Sequence, residues 1–353
     1  MIPGVAGRDV ADLLAPQGPR RQAMAGFDSD YADIVDYILR CTHRIWEQKD
    51  IGLIETHYAE DCLIHLMSGE TQGLRGVVDG TLRTLGGFPD RTLIGEAVIW
   101  SGDEASGYLS SHRLTSSGTN WGGSELGAVT GARVSFTTVA DCLCRGNLIV
   151  EEWLVRDNSA IVWQMGQNPV AVARIQVAAD RLASAEPAEW RLAAMERVRA
   201  EAWTPFPADL WPDAAKDPHA WAHAFVDHVL EHRRLGELRD VYCGDARIHA
   251  PGGRSLFGHG EAIGWWAALL GCFGCARVRA DHVAAVAVEG GWDIALRWEL
   301  AGTHDGPALY GAPSGRDCYV LAVTHWRIVG GRVAEEWTVF DEVALLRQIE
   351  GGL

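Results

Sequence analysis

Residues 58–65 read YAEDCLIH, and residues 242–249 read YCGDARIH. The offset is 242 − 58 = 184, and the EEW at 151–153 returns at 335–337, where 335 − 151 is again 184. At the same spacing Gly76 meets Gly260, Arg113 meets Arg297, and Gly118-Thr119 meets Gly302-Thr303. Gly127, Gly131 and Gly146 likewise meet Gly311, Gly315 and Gly330. An ungapped series of this length marks one domain written twice. Two long copies are too few to be a solenoid.

Each copy follows the same plan. It opens with apolar residues at helical spacing: Ile34, Ile38, Ile45 and Trp46 in the first, Trp221, Phe225, Val229 and Leu230 in the second. A short helix follows, then a strand through Ile64 or Ile248, then a helix begun near Gly76 or Gly260. Strand-like segments fill the rest, at 92–100, 107–115, 133–144 and 148–157 in the first copy, and glycine turns (CRGN, VGGR) join the last two as a hairpin requires. Helices first and a mostly antiparallel sheet afterwards define an α+β class. The curved sheet is expected to wrap the helices as a cone around an apolar pocket. The expected divisions are an N-terminal extension (1–27), domain 1 (28–168), a linker of one or two docked helices (169–214) and domain 2 (215–353), with the two domains forming a pseudo-dimer within the chain.

Composition narrows the function classes. Length (353 residues) fits two domains. The formal charge is 31 − 47 = −16 with the basic residues scattered, which argues against nucleic acid as a partner. No apolar run approaches the roughly 20 residues of a membrane span, and the first residues lack a secretion signal, so a cytoplasmic address is expected. Eight cysteines in such a chain are read as thiols, and the lone CFGC at 272–275 has no second ligand pair for zinc. A Gly-rich phosphate loop, HExxH, GxSxG and a Walker-type lysine are all missing, so the chemistry is expected to need no cofactor and no metal.

These motifs together resemble the SnoaL-like polyketide cyclases, a branch of the nuclear-transport-factor-two-like superfamily. The second copy shows the likeness best, in RWELAGTHDGPALYGAPSGRDCYVLAVTHWRIVGGRVAEEWTVFDEVALLRQI. The first is similar but altered: GTNWGGSELGAVTGAR, with Asn120 for His304 and Ala132 for Arg316, then CRGNLIVEEWLVRDNSAIVWQM. The resemblance implies a conical fold, a small aromatic or polyketide-like carbonyl ligand, and cofactor-free proton abstraction beside a carbonyl. Aldol-type cyclisation, a retro-aldol lyase step and isomerisation all use that chemistry. The same fold also hosts plain binding proteins, so a non-catalytic ligand-binding protein with one or both copies altered is the alternative, as is one catalytic copy beside a scaffold.

Asp157 and Asp341, four residues after each EEW tryptophan, match the position of the family's catalytic Asp. Each is either a general base or the N-cap of the helix that follows. His65 and His249 recur mid-strand, as catalytic imidazoles or as core histidines. Asp141 stands where the second copy has His325, giving an Asp141/Asp157 pair and a His325/Asp341 pair. Arg113 and Arg297 suit an anionic group, or a salt bridge to Glu152 or Glu336. His43, Trp46, His112, Trp121, Trp265 and His304 complete the expected ligand contacts, against the alternative that aromatics only fill the core. Homo-oligomerisation is open.

Overall fold

In a computed structural model, the described residues are 2, 4–5, 18–203, 205 and 210–351. The first copy runs α1 (Ile34–Trp46), α2 (Ile54–His57), β1 (Tyr58–Leu66), β2 (Gly69–Gln72), α3 (Gly73–Gly87), β3 (Thr92–Asp103), β4 (Gly107–Thr119), β5 (Arg133–Arg145), β6 (Leu148–Arg156) and α4 (Asn158–Gln164). Two helices follow, α5 (Pro169–Ala183) and α6 (Glu189–Ala200). The second copy runs α7 (Pro218–Phe225), prolonged by a π-helical turn over Val226–Glu231, then α8 (Leu238–Val241), β7 (Tyr242–Ala250), β8 (Arg254–Phe257), α9 (Gly258–Leu270), β9 (Arg277–Val288), β10 (Gly291–Thr303), β11 (Asp317–Val329), β12 (Arg332–Val339) and α10 (Glu342–Gly351).

Each copy forms its own six-stranded sheet, ordered β2-β1-β6-β5-β4-β3 and β8-β7-β12-β11-β10-β9. Strands β3 to β6 pair antiparallel in succession, and β6 then pairs parallel with β1; β9 to β12 and β7 repeat the arrangement. The α+β class read from the sequence is the one observed. The contacts divide the chain into two compact units, and the short segment Asp157–Ala160 belongs with the second, as do α5 and α6.

Local chemistry accounts for the shared plan. Asp33 caps α1 by accepting from the Asp36 amide at 2.8 Å, and Asp217 caps α7 through the Ala220 amide at 2.9 Å, with Pro218 in the first turn. The β5–β6 and β11–β12 hairpins turn at Gly146 and Gly330, whose φ angles of 56° and 58° suit glycine.

The repeat is not ungapped, which corrects one expectation. From β2 to β3 the structural offset is 185: Gly73 opens α3 where Gly258 opens α9, and Thr92 opens β3 where Arg277 opens β9. Gly73 and Gly258 both have φ of 72°, and a Cβ on either would come within 3.1 or 2.9 Å of the carbonyl oxygens of Glu60 and Gly244. That shared need identifies the true glycine pair, whereas Gly76 and Gly260 coincide only in number. A residue is gained before β8 and lost in the β9–β10 turn, restoring 184. Lys49 donates to the Arg91 carbonyl at 2.6 Å and Arg233 to the Ala276 carbonyl at 3.1 Å, so Arg91 and Ala276 are structural equivalents.

Pairing register fixes which side chains face the helices. Ser110, His112, Leu114 and Ser116 on β4 lie beside Cys142, Ala140, Thr138 and Phe136 on β5, and this row continues through Glu152, Leu154 and Arg156 on β6 to Ile64 on β1. Contact of His112 with Thr42 of α1, and of Cys142 and Val98 with the α1 core residues Ile38 and Leu39, marks this as the inner face. In the second copy the same face carries Ile294, Leu296, Trp298, Leu300, Ala322, Thr324, Trp326, Glu336 and Thr338.

Candidate functional site

The second copy fills its inner face with rings. Trp221 meets Trp326 at 5.2 Å between centroids, Trp326 meets Phe225 at 4.7 Å, Phe225 meets Trp266 at 5.5 Å, and Trp266 meets Trp298 at 6.1 Å. All five are fully buried. Tryptophan and phenylalanine thus make continuous ring contacts across the inner face of this copy. Glu336 lies within this packing and is saturated: it accepts from Tyr242 Oη, from Trp326 Nε1 at 3.0 Å and from Thr338 Oγ1 at 2.9 Å. Burial pushes its carboxyl up, and those hydrogen bonds oppose the shift.

The first copy keeps the glutamate and loses its company. Glu152 accepts from Tyr58 Oη at 3.3 Å, but Cys142 replaces Trp326 and Leu154 replaces Thr338. Its carboxyl is pushed up to about 7, first by burial; Tyr58 and Arg156 oppose the rise and Asp141 adds to it. Further along the same face, Arg91 is 3% exposed and gives Nε and Nη2 to Ser116 Oγ at 3.2 and 2.9 Å. Its guanidinium lies 4.2 Å from the Trp46 ring centroid and 5.5 Å from that of Phe136. Burial, followed by the charge of Arg156, pushes its pKa well down. His112 is pushed down to about 4, by burial first and then by Arg113, so its ring is neutral at pH 7. Arg91 Nη1, His112 Nε2 and Thr138 Oγ1 are buried without a hydrogen-bond partner among the described residues.

Comparison with known proteins agrees with this architecture. The family model described as SnoaL-like polyketide cyclase matches residues 37–165 and 220–349. The chain belongs to that family, in two copies. Solved structures similar to it include one from Jannaschia sp. CCS1 carrying the name SnoaL-like polyketide cyclase, at 20% identity and a TM-score of 0.35, covering 41% of this chain and 98% of that one. Another is IdmH of Streptomyces antibioticus, named a polyketide cyclase, at 24% identity and a TM-score of 0.31, covering 37% and 96%. TsrD of Streptomyces laurentii follows at 18% identity and a TM-score of 0.34, covering 38% and 96%. No curated protein matches.

Within this SnoaL-like frame the residues expected at the site separate into groups. His65, Asp141 and Arg113 occupy the face opposite the helices, not the inner one; Asp141 lies beside Trp153, which pairs with His65. His249, His325 and Arg297 do the same beside Trp337 and Val323. The physical reason is register: EEW alternation turns Trp153 and Trp337 outward and Glu152 and Glu336 inward. His65 bonds Glu151 at 2.8 Å and Glu70 at 3.1 Å, and His249 bonds Glu335 at 2.9 Å, stacked on Trp337 at 5.3 Å. Arg113 pairs with Glu96 and Arg297 with Asp281, so the alternative of bridges to Glu152 and Glu336 is corrected as well.

Asp157 and Asp341, expected as general bases or as N-caps, cap the following helices. Asp157 Oδ1 accepts from the Ala160 amide and Ser159 Oγ, and its two oxygens take the Gly252 and Gly253 amides at 2.8 and 2.9 Å. Burial pushes its carboxyl up against those four donors. Asp341 accepts from the Val343 and Ala344 amides and from Asn158 Nδ2 at 2.6 Å. His304 and Asn120 do one structural job, each pinning its loop: His304 Nδ1 contacts the Ser314 amide at 3.2 Å, and Asn120 Oδ1 accepts from the Thr130 amide at 2.8 Å. Trp121 is 61% exposed, and Trp265 is buried under the Arg254 guanidinium. His43 is half-buried on α1 near Trp46.

Of the expected residues, the inner face of the first copy thus gathers His112 and Trp46. Glu152, Tyr58, Arg91, Arg156, Ser116 and Thr138 were not anticipated there. Comparing the copies for positions polar in one and apolar in the other would have found Arg91, Arg156, Ser116 and Thr138. Among the described residues, no group of three His, Cys, Asp or Glu side chains is placed to hold a metal ion, and no helix is long and apolar enough to cross a membrane.

Proposed function

We propose that the first copy is a cofactor-independent enzyme site for a small carbonyl compound, with Glu152 as general base, and that the second copy is its structural counterpart. The family supports cyclase- or isomerase-type chemistry at its own level. The observation carrying the finer reading is the buried Glu152 carboxyl, held near pKa 7 with Tyr58 as its hydroxyl partner, on a face more polar than its counterpart in the second copy. A carboxylate poised near neutrality has the basicity to take a proton beside a carbonyl. Arg156, whose charge acts on Glu152, then places positive charge where the enolate develops, and neutral His112 offers a hydrogen bond. Aldol-type ring closure, its reverse or isomerisation completes the step, depending on how the carbon skeleton is folded.

Asp157 is the base that the sequence resemblance implies, but its oxygens already answer four donors. Turnover of β-dicarbonyl compounds by wild type, Glu152→Gln and Asp157→Asn decides between them. Loss in E152Q with a 7-centred rise of kcat/KM in the wild type supports Glu152; full activity in E152Q removes it.

A further inference from the structure

Arg91 Nη1, His112 Nε2 and Thr138 Oγ1, buried on the inner face of the first copy without a hydrogen-bond partner among the described residues, share a property the proposed chemistry does not use. Arg91, His112 and Thr138 correspond to Ala276, Leu296 and Ala322, so each of these three positions is apolar in the other copy. A buried polar group without a partner destabilises a fold, and the second copy shows that the fold does not need these three. They lie along one face: Ser116, which holds Arg91, and His112 are four residues apart on β4, about 13 Å at strand rise, and Thr138 lies beside Leu114 between them.

Charge selects the ligand class. Arg91 has no carboxylate bonded to it: Glu47, the nearest acid acting on it, is occupied by the Leu93 amide, and Asp90 by the Thr119 amide and hydroxyl. Lys49 and Arg156 add further positive charge nearby. One guanidinium nitrogen, Nη1, remains without a partner, flanked by the Trp46 and Phe136 rings, with single neutral groups at the other two positions. A phosphate would ask for several cationic donors, whereas a flat molecule with one carboxylate needs only this much. We infer that the first copy binds a small planar organic carboxylate, whose anionic oxygen is held by Arg91 Nη1 and whose remaining polar atoms meet His112 and Thr138. This rests on the reading that the first copy's interior is the site, and it specifies the substrate as an acid.

The test is calorimetric titration of the full chain with acetate, benzoate and 1-naphthoate, each against its neutral amide. At least one acid should bind about tenfold or more tightly than its amide. Arg91→Ala should abolish that preference and Arg91→Lys should restore part of it, and His112→Leu and Thr138→Ala should weaken binding of 4-hydroxy-1-naphthoate, which carries a second polar atom, about two- to fivefold without lowering Tm. Acids that bind no better than their amides, or an R91A variant that keeps the preference, would overturn the inference. Circular dichroism verifies that R91A is folded, and R91K tests the same charge if it is not. The outcomes separate from the catalytic reading: R91-dependent acid binding without turnover of any carbonyl acid removes the catalysis and leaves this site. Turnover of neutral carbonyl compounds, indifferent to R91A and to benzoate, does the reverse.

Discussion

Glu152 and Glu336 occupy the same place on the same strand of the same fold, yet one answers to a single hydroxyl and the other to three donors. The difference lies in two neighbours, Cys142 against Trp326 and Leu154 against Thr338. Around them the whole inner face diverges: Ser110, His112, Ser116 and Arg156 in the first copy stand opposite Ile294, Leu296, Leu300 and Phe340 in the second. Where hydrogen bonds and rings are complete, the carboxylate is part of the structure. Where they are withheld, it retains the proton affinity that catalysis needs.

The sharpest way to break this contrast is to neutralise each glutamate in turn. E152Q should lower turnover by about 10²–10⁴-fold, the usual worth of a positioned base, while E336Q leaves kcat/KM nearly unchanged. Equal losses would abolish the asymmetry. Next in size, Trp326→Cys gives the second copy the first copy's residue. It should cost about 3–5 kcal/mol in denaturant unfolding through the cavity and the stranded Glu336 carboxyl, whereas the reciprocal Cys142→Trp should block ligand binding.

A third prediction uses pH. A carboxyl whose pKa rises on folding contributes full stability below about 4.5 and loses it as pH climbs through about 7, since the unfolded chain then binds fewer protons than the native one. E152Q should remove that slope, gaining up to about 3 kcal/mol on wild type between pH 4.5 and 7.5. Parallel stability curves for the two proteins would refute it. Smallest of all, H112L should leave the ligand-free protein as stable as wild type or about 1 kcal/mol more stable, because an unmet buried polar atom is exchanged for leucine.

Much of the architecture was legible because glycine and EEW positions recur where backbone geometry leaves few options, as at Gly146 and Gly330. The constant offset misled only between β2 and β3, where a gained and a lost residue hide behind the accidental match of Gly76 and Gly260. The site was less legible. Strand β11 is buried on both faces from Cys318 to Trp326, so alternation of polar and apolar residues could not say which parity meets the helices. His325 is expected on the inner face for that reason, although its register places it on the other. Glu152 enters the sequence reading only as a salt-bridge partner for Arg113, because the sequence cannot show that Arg113 faces Glu96 on the other side of the sheet.

The ring cluster of Trp221, Phe225, Trp266, Trp298 and Trp326 bears on inheritance. In a homodimer every substitution is written into both subunits, so a tryptophan that closes one interior closes its twin. A chain that encodes both domains in succession escapes that bond. One half can trade reactivity for solidity while the other drifts toward new chemistry, each mutation being read only once.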